Sequence, residues 1–585
     1  MLAIVVLFTR KNRKELRWLF VIFTAFSLFP VFGYIFSGFS NVNNRWGYIY
    51  VVIVSFILAE SLDKMRDLSG KELGIMTAIT GLYGLVNAFS DKLFVPSIYG
   101  AFGLLAATLI MLFLLNSDKI TFSKKQFRGI VLGMTALVIF LNAKWFITSG
   151  DDSYTHLDTY VSAGDSKKKI SGTALKHLDE VPGADTDEFY RSTNLVTTGN
   201  LRSSSLLYGY NDVSTFSSTL NGGIVNYNNA MGNCRWNIVS IYDYNFRTYL
   251  NTLASVKYMG VAKKNTATIP YGYKKVQETK NKYYSIYENQ YSLPLGYTYD
   301  KIVNADRIDQ YSAAEKQETT MLAAIVEDKD MDKNSNLTVA TKLPLTAQKL
   351  KIKNIKLNGV SMTKDTIEIE KPGATMKFSF EAPANAETYL SLVGDIYAEK
   401  DAKEHFITAR IKAPGVKYGH KFRIDAYTTG QKEYLFNLGY REGAVKTCTL
   451  KFVGTGTLKY KDLAIYSQTM SNYADRVNAL KENSLKNAKA EKNTVTGNIT
   501  VDKDKMLVVT LPYQKGWTAY VDGKKTDIQR VNYQYIGINL KKGTHDIKLH
   551  YQLPGIKLAF MITGCGIIAF VAIIIFNIVR KRRKN

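Results

Sequence analysis

The chain has 585 residues, 46% of them hydrophobic, and a formal charge of +26 at neutral pH from 76 Lys and Arg against 50 Asp and Glu. That length accommodates several domains, and so large a charge invites a nucleic-acid reading, but no motif for reading bases occurs. Three cysteines make no disulfide framework, and with neither C-x-x-C nor H-E-x-x-H present a zinc site has no support.

Met1–Thr9 is apolar, too short to span a bilayer, and lacks the basic start and small-residue cleavage site of a signal peptide, so it reads as the end of a helix. R-K-N-R-K-E-L-R (Arg10–Arg17) follows. Five apolar runs come next: Trp18–Phe39, Trp46–Leu62, Leu73–Phe89, Phe94–Leu115 and Gly129–Ser149. The connections Asp63–Glu72 and Ser117–Arg128 are basic. Ser40–Arg45 and Ser90–Lys92 hold one basic residue each, Arg45 and Lys92. Basic loops stay in the cytoplasm, so five crossings from a cytoplasmic Arg10–Arg17 leave Gly150 outside. At the other end Gly555–Val579 is long enough to cross a bilayer as a helix, and R-K-R-R-K-N (Arg580–Asn585) anchors it in the cytoplasm. Charge bias and crossing parity agree on six complete crossings. The four basic segments carry 17 Lys and Arg against five acids, so topology accounts for about half of the net charge. The remainder, on the outside, suits acidic cell-wall polymers or lipid headgroups.

Residues 150–335 mix helix-like patches (Ala174–Leu178, Tyr244–Leu253) with strand-like Val256–Val261 and loops rich in Ser, Asn, Tyr and Gly, which predicts an α/β domain. Residues 336–470 change to short alternating strands: Lys349–Leu357, Thr366–Ile369, Thr375–Phe380, Tyr389–Tyr397, Phe406–Ile411, Lys446–Phe452 and Leu458–Tyr466. That pattern predicts a jelly-roll-like β-sandwich. Ser471 begins a linking helix (471–492) that runs to about Ala490, with Tyr473, Val477 and Leu480 on one face. A small β domain (493–553) follows, with Asp522-Gly523 as a two-residue hairpin turn and Lys542-Gly543 as the next turn. The fold class is a multi-span α-helical membrane domain (1–149) with large extracytoplasmic α/β and β-sandwich domains, closed by a transmembrane helix (554–579) and a basic tail (580–585). Cys234 and Cys448 are expected as buried free thiols, with a single Cys234–Cys448 bridge as the alternative.

T-L-P-Y-Q-K-G-W-T-A-Y-V-D-G-K-K (Thr510–Lys525), G-I-N-L-K-K-G-T-H-D-I-K-L-H-Y (Gly537–Tyr551) and the last helix resemble the C-terminal end of bacterial YfhO-family membrane proteins. F-S-G-F-S-N-V-N-N-R-W (Phe36–Trp46), G-Y-N-D-V-S-T-F-S-S-T-L-N (Gly209–Asn221) and L-P-L-G-Y (Leu293–Tyr297) are similar to other segments of that family. The resemblance implies a multi-span glycosyltransferase of the cell membrane. Such an enzyme takes a sugar from a polyprenyl-phosphate donor and passes it to lipoteichoic or wall teichoic acid at the outer face. It also implies about seven or eight further spans before Met1 and a catalytic acid in a first external loop without counterpart here. A partner supplying those spans is one expectation; an alternative function is a non-catalytic glycan-binding or partner-support protein of the envelope.

Asn44-Arg45-Trp46 falls at the outer membrane face, where a guanidinium offers paired donors to a donor phosphate; the plain alternative is an interfacial Trp with a headgroup-seeking Arg. Asp151 and Asp152 follow the fifth run. Adjacent carboxylates there suit a divalent cation, the one cofactor suggested, or the deprotonation of an acceptor hydroxyl; the plain alternative is a solvated loop start. Tyr208, Tyr210, Asn211, Asp212 and Phe216 combine aromatics with polar groups as a glycan or glycerol-phosphate site does, or as a packed surface loop does. Trp517, Tyr513 and Tyr520 are expected in the core of the last β unit. The expected partners are membrane lipids, a polyprenyl-phosphate-linked sugar and an anionic cell-wall polymer, and no nucleic acid.

Overall fold

The computed structural model describes the chain except residues 1, 11–12, 38–41, 44, 90–95, 118–122, 149–180, 182–187, 196–204, 218, 238, 263–268, 279–283, 395–405, 424–429 and 584–585. It divides into two compact units, Met1–Asp165 and Ser166–Asn585.

The first unit is helical. Lys14–Leu28, Gly47–Ser61, Gly70–Ala88, Pro96–Leu115 and Lys124–Thr148 coincide with the five apolar runs, and Leu2–Thr9 packs among them. Large apolar side chains such as Val52, Leu85 and Leu132 point outward. An apolar exterior of that extent is unfavourable in water and suits lipid. The first run is not one straight span. Pro30 lacks an N–H and pushes Phe29 out of the helical region, to φ −99° and ψ 118°. Lys14–Leu28 and Pro30–Phe36 therefore meet at 95°. Among the described residues, one helix, Ile556–Arg582, is by itself long and apolar enough to cross a membrane. The bent pair qualifies together, while Gly47–Ser61 and Phe102–Leu115 are shorter. A capping box starts Gly70–Ala88: Ser69 Oγ accepts from Glu72 N–H at 3.2 Å and Glu72 Oε2 accepts from Ser69 N–H at 2.9 Å. The same carboxylate accepts from Arg10 Nε at 3.0 Å, tying the basic N-terminal segment to this helix.

The second unit is mostly β. A four-stranded sheet runs Arg191–Leu195, Val256–Ala262, Tyr284–Asn289, Tyr273–Glu278. A seven-stranded sheet takes Gly296–Tyr299, Lys301–Asn304, Ala324–Val326 and Thr338–Val339 from one part of the chain and Lys505–Pro512, Gln529–Val531 and Tyr535–Leu540 from another. The strands of 493–553 are thus shared between two sheets. Leu540 to Gly543 is a crossing from one to the other and not the hairpin expected at Lys542-Gly543. The expected turn at Asp522-Gly523 is present, with φ of 53° and 75° and Val521 paired to Lys524.

Residues 348–469 form three antiparallel sheets, of four, five and three strands, around one core that includes Phe378, Leu390, Ile411, Phe436, Leu450 and Ile465. Val416–Arg423 and Glu433–Arg441 are strands the sequence pattern had not marked. Buried polar contacts join this sandwich to the rest of the unit. Glu387 accepts from Thr248 N–H (3.1 Å) and Asn437 Nδ2 (2.7 Å). Glu318 accepts from Gln468 Nε2 of the sandwich (3.2 Å) and, outside it, from Arg476 (2.5 Å), Thr346 N–H (2.6 Å) and Ala347 N–H (2.7 Å). The linking helix spans Tyr473–Glu482, with Tyr473, Val477 and Leu480 buried as expected, but it does not reach Ala490. Leu485 is drawn into the core instead, its N–H bonded to Gly296 O at 2.9 Å, and Lys486–Glu491 is a strand. Cys234 and Cys448 are both buried and free.

Candidate functional site

Tyr210, Asn211 and Asp212 are brought together against the strand Arg191–Leu195. Ser192 N–H donates to Asn211 O (2.8 Å), Asn211 Nδ2 to Tyr190 O (3.1 Å) and Asn194 Nδ2 to the Tyr210 hydroxyl (3.0 Å). The Tyr210 ring packs with Tyr190 and Tyr258. Asp212 Oδ1 accepts from Ser214 N–H at 2.9 Å, while its Oδ2 is buried and bonded to no described residue. Burial, aided by the nearby Asp243 carboxylate, pushes the Asp212 carboxyl up to about 7. Phe216 stands apart, 53% exposed on the short strand Thr215–Phe216, and Tyr208 ends the turn of helix before Gly209. The segment closes on Asn221, which caps the helix Gly222–Ala230 and donates to Tyr513 O and Gln514 Oε1, both at 3.1 Å.

Of the residues expected at the membrane face, Arg45 is exposed and its N–H donates to Asn43 Oδ1 at 3.1 Å. Trp46 is 6% exposed, with ring centroids 5.0 Å from Phe36 and 6.2 Å from Phe23. It packs against these two rings. Asn44, Asp151 and Asp152 lie outside the described residues. Among those described, no group of three His, Cys, Asp or Glu is placed to hold a metal ion. Trp517 is half-buried against Tyr551, and Tyr513 lies under the Arg530 guanidinium at 5.5 Å.

Beside the Tyr190–Asp212 contacts lies a cleft of about 520 Å³. One wall is Leu293–Leu295 of the L-P-L-G-Y segment, another is Phe189 and Tyr190, and the end of the helix Tyr473–Glu482 closes the third. Three lysines line it: Lys257, Lys481 and Lys486. Lys257 Nζ stands 5.5 Å above the Tyr190 ring and 5.2 Å above that of Tyr258, and 4.0 Å from Glu288 Oε1. Neither Lys481 nor Lys486 pairs with a carboxylate among the described residues, and burial pulls the Lys481 ammonium below its ordinary pKa. Glu188 is the carboxylate of the lining.

Local geometry explains why the motif residues are what they are. At Gly296 a Cβ would fall 2.8 Å from Leu485 Cβ, so only glycine lets the helix end approach this closely. Arg191 donates to Thr510 O (2.7 Å), Thr510 Oγ1 (3.0 Å) and Ala254 O (3.0 Å) while its guanidinium covers Phe189 at 5.0 Å. Thr510 Oγ1 in turn donates to Leu295 O at 3.1 Å. A second hollow of about 770 Å³ lies over the C-terminal five-stranded sheet, which runs Lys486–Glu491, Thr494–Val501, Gly543–Tyr551, Trp517–Val521, Lys524–Thr526, with Thr496, Asn498, Tyr520, Lys548 and His550 in its lining. Asn487 lines both, so the two depressions adjoin. Partly buried cations are strengthened by the lowered dielectric, and flanked by aromatic faces they suit a phosphorylated polyol or sugar. The cleft lysines went unnoticed in the sequence because Lys257 stands more than 200 residues from Lys481 and Lys486; L-P-L-G-Y was the one visible signal.

An apolar helical unit and a β-rich polar unit that ends in a helix long and apolar enough to cross a membrane are the features of a membrane protein with a large polar body. The chain belongs to the family described as bacterial membrane protein YfhO, which matches residues 1–563 and bears out the resemblance of the motifs. The uncharacterized protein YfhO of Bacillus subtilis (strain 168) is 26% identical over 604 residues, covering 98% of this chain and 64% of its own length, so the chain spans less than two thirds of that relative. Among solved structures, the arabinofuranosyltransferase AftD from Mycobacteria is 8% identical with a TM-score of 0.22, over 83% of this chain and 63% of its own. The C-terminal CBM6 of LamC from Zobellia galactanivorans is 12% identical with a TM-score of 0.16, over 21% of this chain and 99% of its own.

Proposed function

We propose that this chain is part of a membrane glycosyltransferase that moves a sugar from a polyprenyl-phosphate donor to an anionic polymer of the cell envelope, lipoteichoic or wall teichoic acid. The observation that carries it is the cleft in which Lys257, Lys481 and Lys486 meet Phe189 and Tyr190 beside the family-like L-P-L-G-Y segment. Cations beside aromatic faces are what an acceptor of alternating phosphate and polyol requires. Membership of a membrane family and the alternating charge of the loops support placing the polar unit outside and Arg580–Asn585 in the cytoplasm. In this reading Arg45 contacts the donor phosphate, Asp151 and Asp152 are open to a divalent cation, and no catalytic base is assigned. A non-catalytic glycan-binding protein is the second reading; it is favoured by a lining rich in cations with a single carboxylate, Glu188.

Deleting the gene and measuring polymer-linked sugar by NMR of purified teichoic acids separates the two. Loss of the sugar, restored by the wild-type gene, supports transfer. Unchanged sugar with altered polymer retention supports binding alone.

A further inference from the structure

The strand Gly543–Tyr551 leads through Gln552–Gly555 into the helix Ile556–Arg582, none of whose side chains is buried. From Leu558 to Val579 that helix has no charged residue. At 1.5 Å per residue the stretch is about 33 Å long, close to the ~30 Å hydrocarbon core of a bilayer. Lys557 and Arg580 therefore mark the two borders of the apolar layer.

Two turns are pinned to the root of this helix. Gly516 O accepts from Gln552 N–H at 3.0 Å, and its φ of 108° is one that glycine alone adopts freely. A Cβ there would fall 2.3 Å from Gln552 O and 3.1 Å from Pro554 Cδ. Asn493 is held on the other side: its O accepts from Tyr551 N–H at 2.8 Å and its Nδ2 donates to Tyr551 O at 2.9 Å. Each pinned residue has a lysine next to it, Lys515 and Lys492, and both lysines are exposed, as is Lys557. None of the three forms an ion pair among the described residues. Glu491 is the carboxylate in these segments, so positive charge prevails. Trp517, its ring tilted against that of Tyr551 with centroids 5.2 Å apart, and the 55% exposed Leu553 add apolar surface at the same level. Aromatic rings beside lysines are typical of the membrane–water border.

We propose that Lys492, Lys515 and Lys557 form a collar that binds the phosphate headgroups of anionic phospholipids and seats the five-stranded sheet on the bilayer. This is independent of the acceptor reading. Each lysine near an anionic surface contributes about 1 kcal/mol, so three favour the seated state on the order of a hundredfold.

The test is hydrogen exchange of the protein in nanodiscs of phosphatidylcholine alone and of an equimolar mixture with phosphatidylglycerol. Amides of residues 490–494 and 514–518 are expected to exchange more slowly in the anionic discs, and K492Q/K515Q/K557Q to abolish the difference while Ala386–Val393 exchanges as before. Should the triple variant disturb that control strand, the three single variants carry the test, each expected to reduce the lipid effect in part. Equal exchange in both lipids, or a lipid effect that survives the substitutions, overturns the proposal. So does equal protection on phosphatidylcholine discs from soluble polyphosphate, which would make the collar a polymer site.

Discussion

Asp212→Asn is predicted to stabilise the protein at pH 8 and to do so less than half as much at pH 5. The Asp212 carboxyl titrates near 7 in the folded chain because it is buried with Oδ2 unbonded among the described residues; its ordinary value is 3.8. Between those values the folded state holds a proton that the unfolded state has released. Stability therefore falls as pH rises from about 4 to about 7, and the loss is constant above that. Three units at 1.36 kcal/mol each set an upper bound of about 4 kcal/mol. Asparagine keeps the Oδ1 that accepts from Ser214 N–H and never ionises. Its Nδ2 replaces the O–H of the protonated acid, so its own burial cost is similar. Thermal unfolding of wild type and variant in detergent at pH 5 and pH 8 reads the effect as a difference of differences, which cancels every other titrating group. The variant is expected to gain several degrees at pH 8 and less than half of that at pH 5. An equal shift at both pH values, or destabilisation at both, refutes the reasoning.

His420 works in the opposite sense: burial pushes it down to about 4, with its Nδ1 3.1 Å from Cys234 O, so that nitrogen carries the proton and donates. The unfolded chain takes up a further proton first as pH falls, so stability is lost from about pH 6.5 to about 4, and His420→Phe is expected to flatten that part of the unfolding profile. Glu318→Gln leaves Arg476 buried without its carboxylate and is expected to cost about 3–5 kcal/mol in denaturant unfolding, whereas Glu318→Gln with Arg476→Met, which keeps an oxygen for the Thr346 and Ala347 N–H groups and removes the unpaired charge, costs less than the single change. Gly516→Ala combines a φ of 108° with a Cβ 2.3 Å from Gln552 O, and thermal unfolding is expected to show a loss of more than about 1 kcal/mol.

Local chemistry was legible and long-range assembly was not. Asp522-Gly523 announced its turn because few other pairs accept two positive φ values, and Tyr473, Val477 and Leu480 announced a helix face through their spacing. The end of that helix was not readable: Leu485 just beyond it packs between Gly497 and Gly296, and Gly296 is remote in sequence. Pro30 was visible, but the apolar run on either side of it outweighed the break. Leu540–Gly543 resembles a hairpin until the partner of each strand is known, and those partners lie in different sheets. The G-Y-N-D segment reads from sequence as a glycan site or a packed surface loop; its tyrosine and asparagine brace the strand behind the cleft, and Lys257, Lys481 and Lys486 become neighbours only through folding.

Sugar transfer in membranes carrying the wild-type protein or K257Q/K481Q/K486Q, with a labelled polyprenyl-phosphate sugar and purified teichoic acid, addresses the role of the cleft directly. The account predicts a KM for the polymer raised about tenfold or more, given about 0.5–1 kcal/mol per lost cation, an unchanged KM for the donor, and a polymer KM in the wild type that rises steeply with salt. A polymer KM that neither the three substitutions nor salt moves would contradict it.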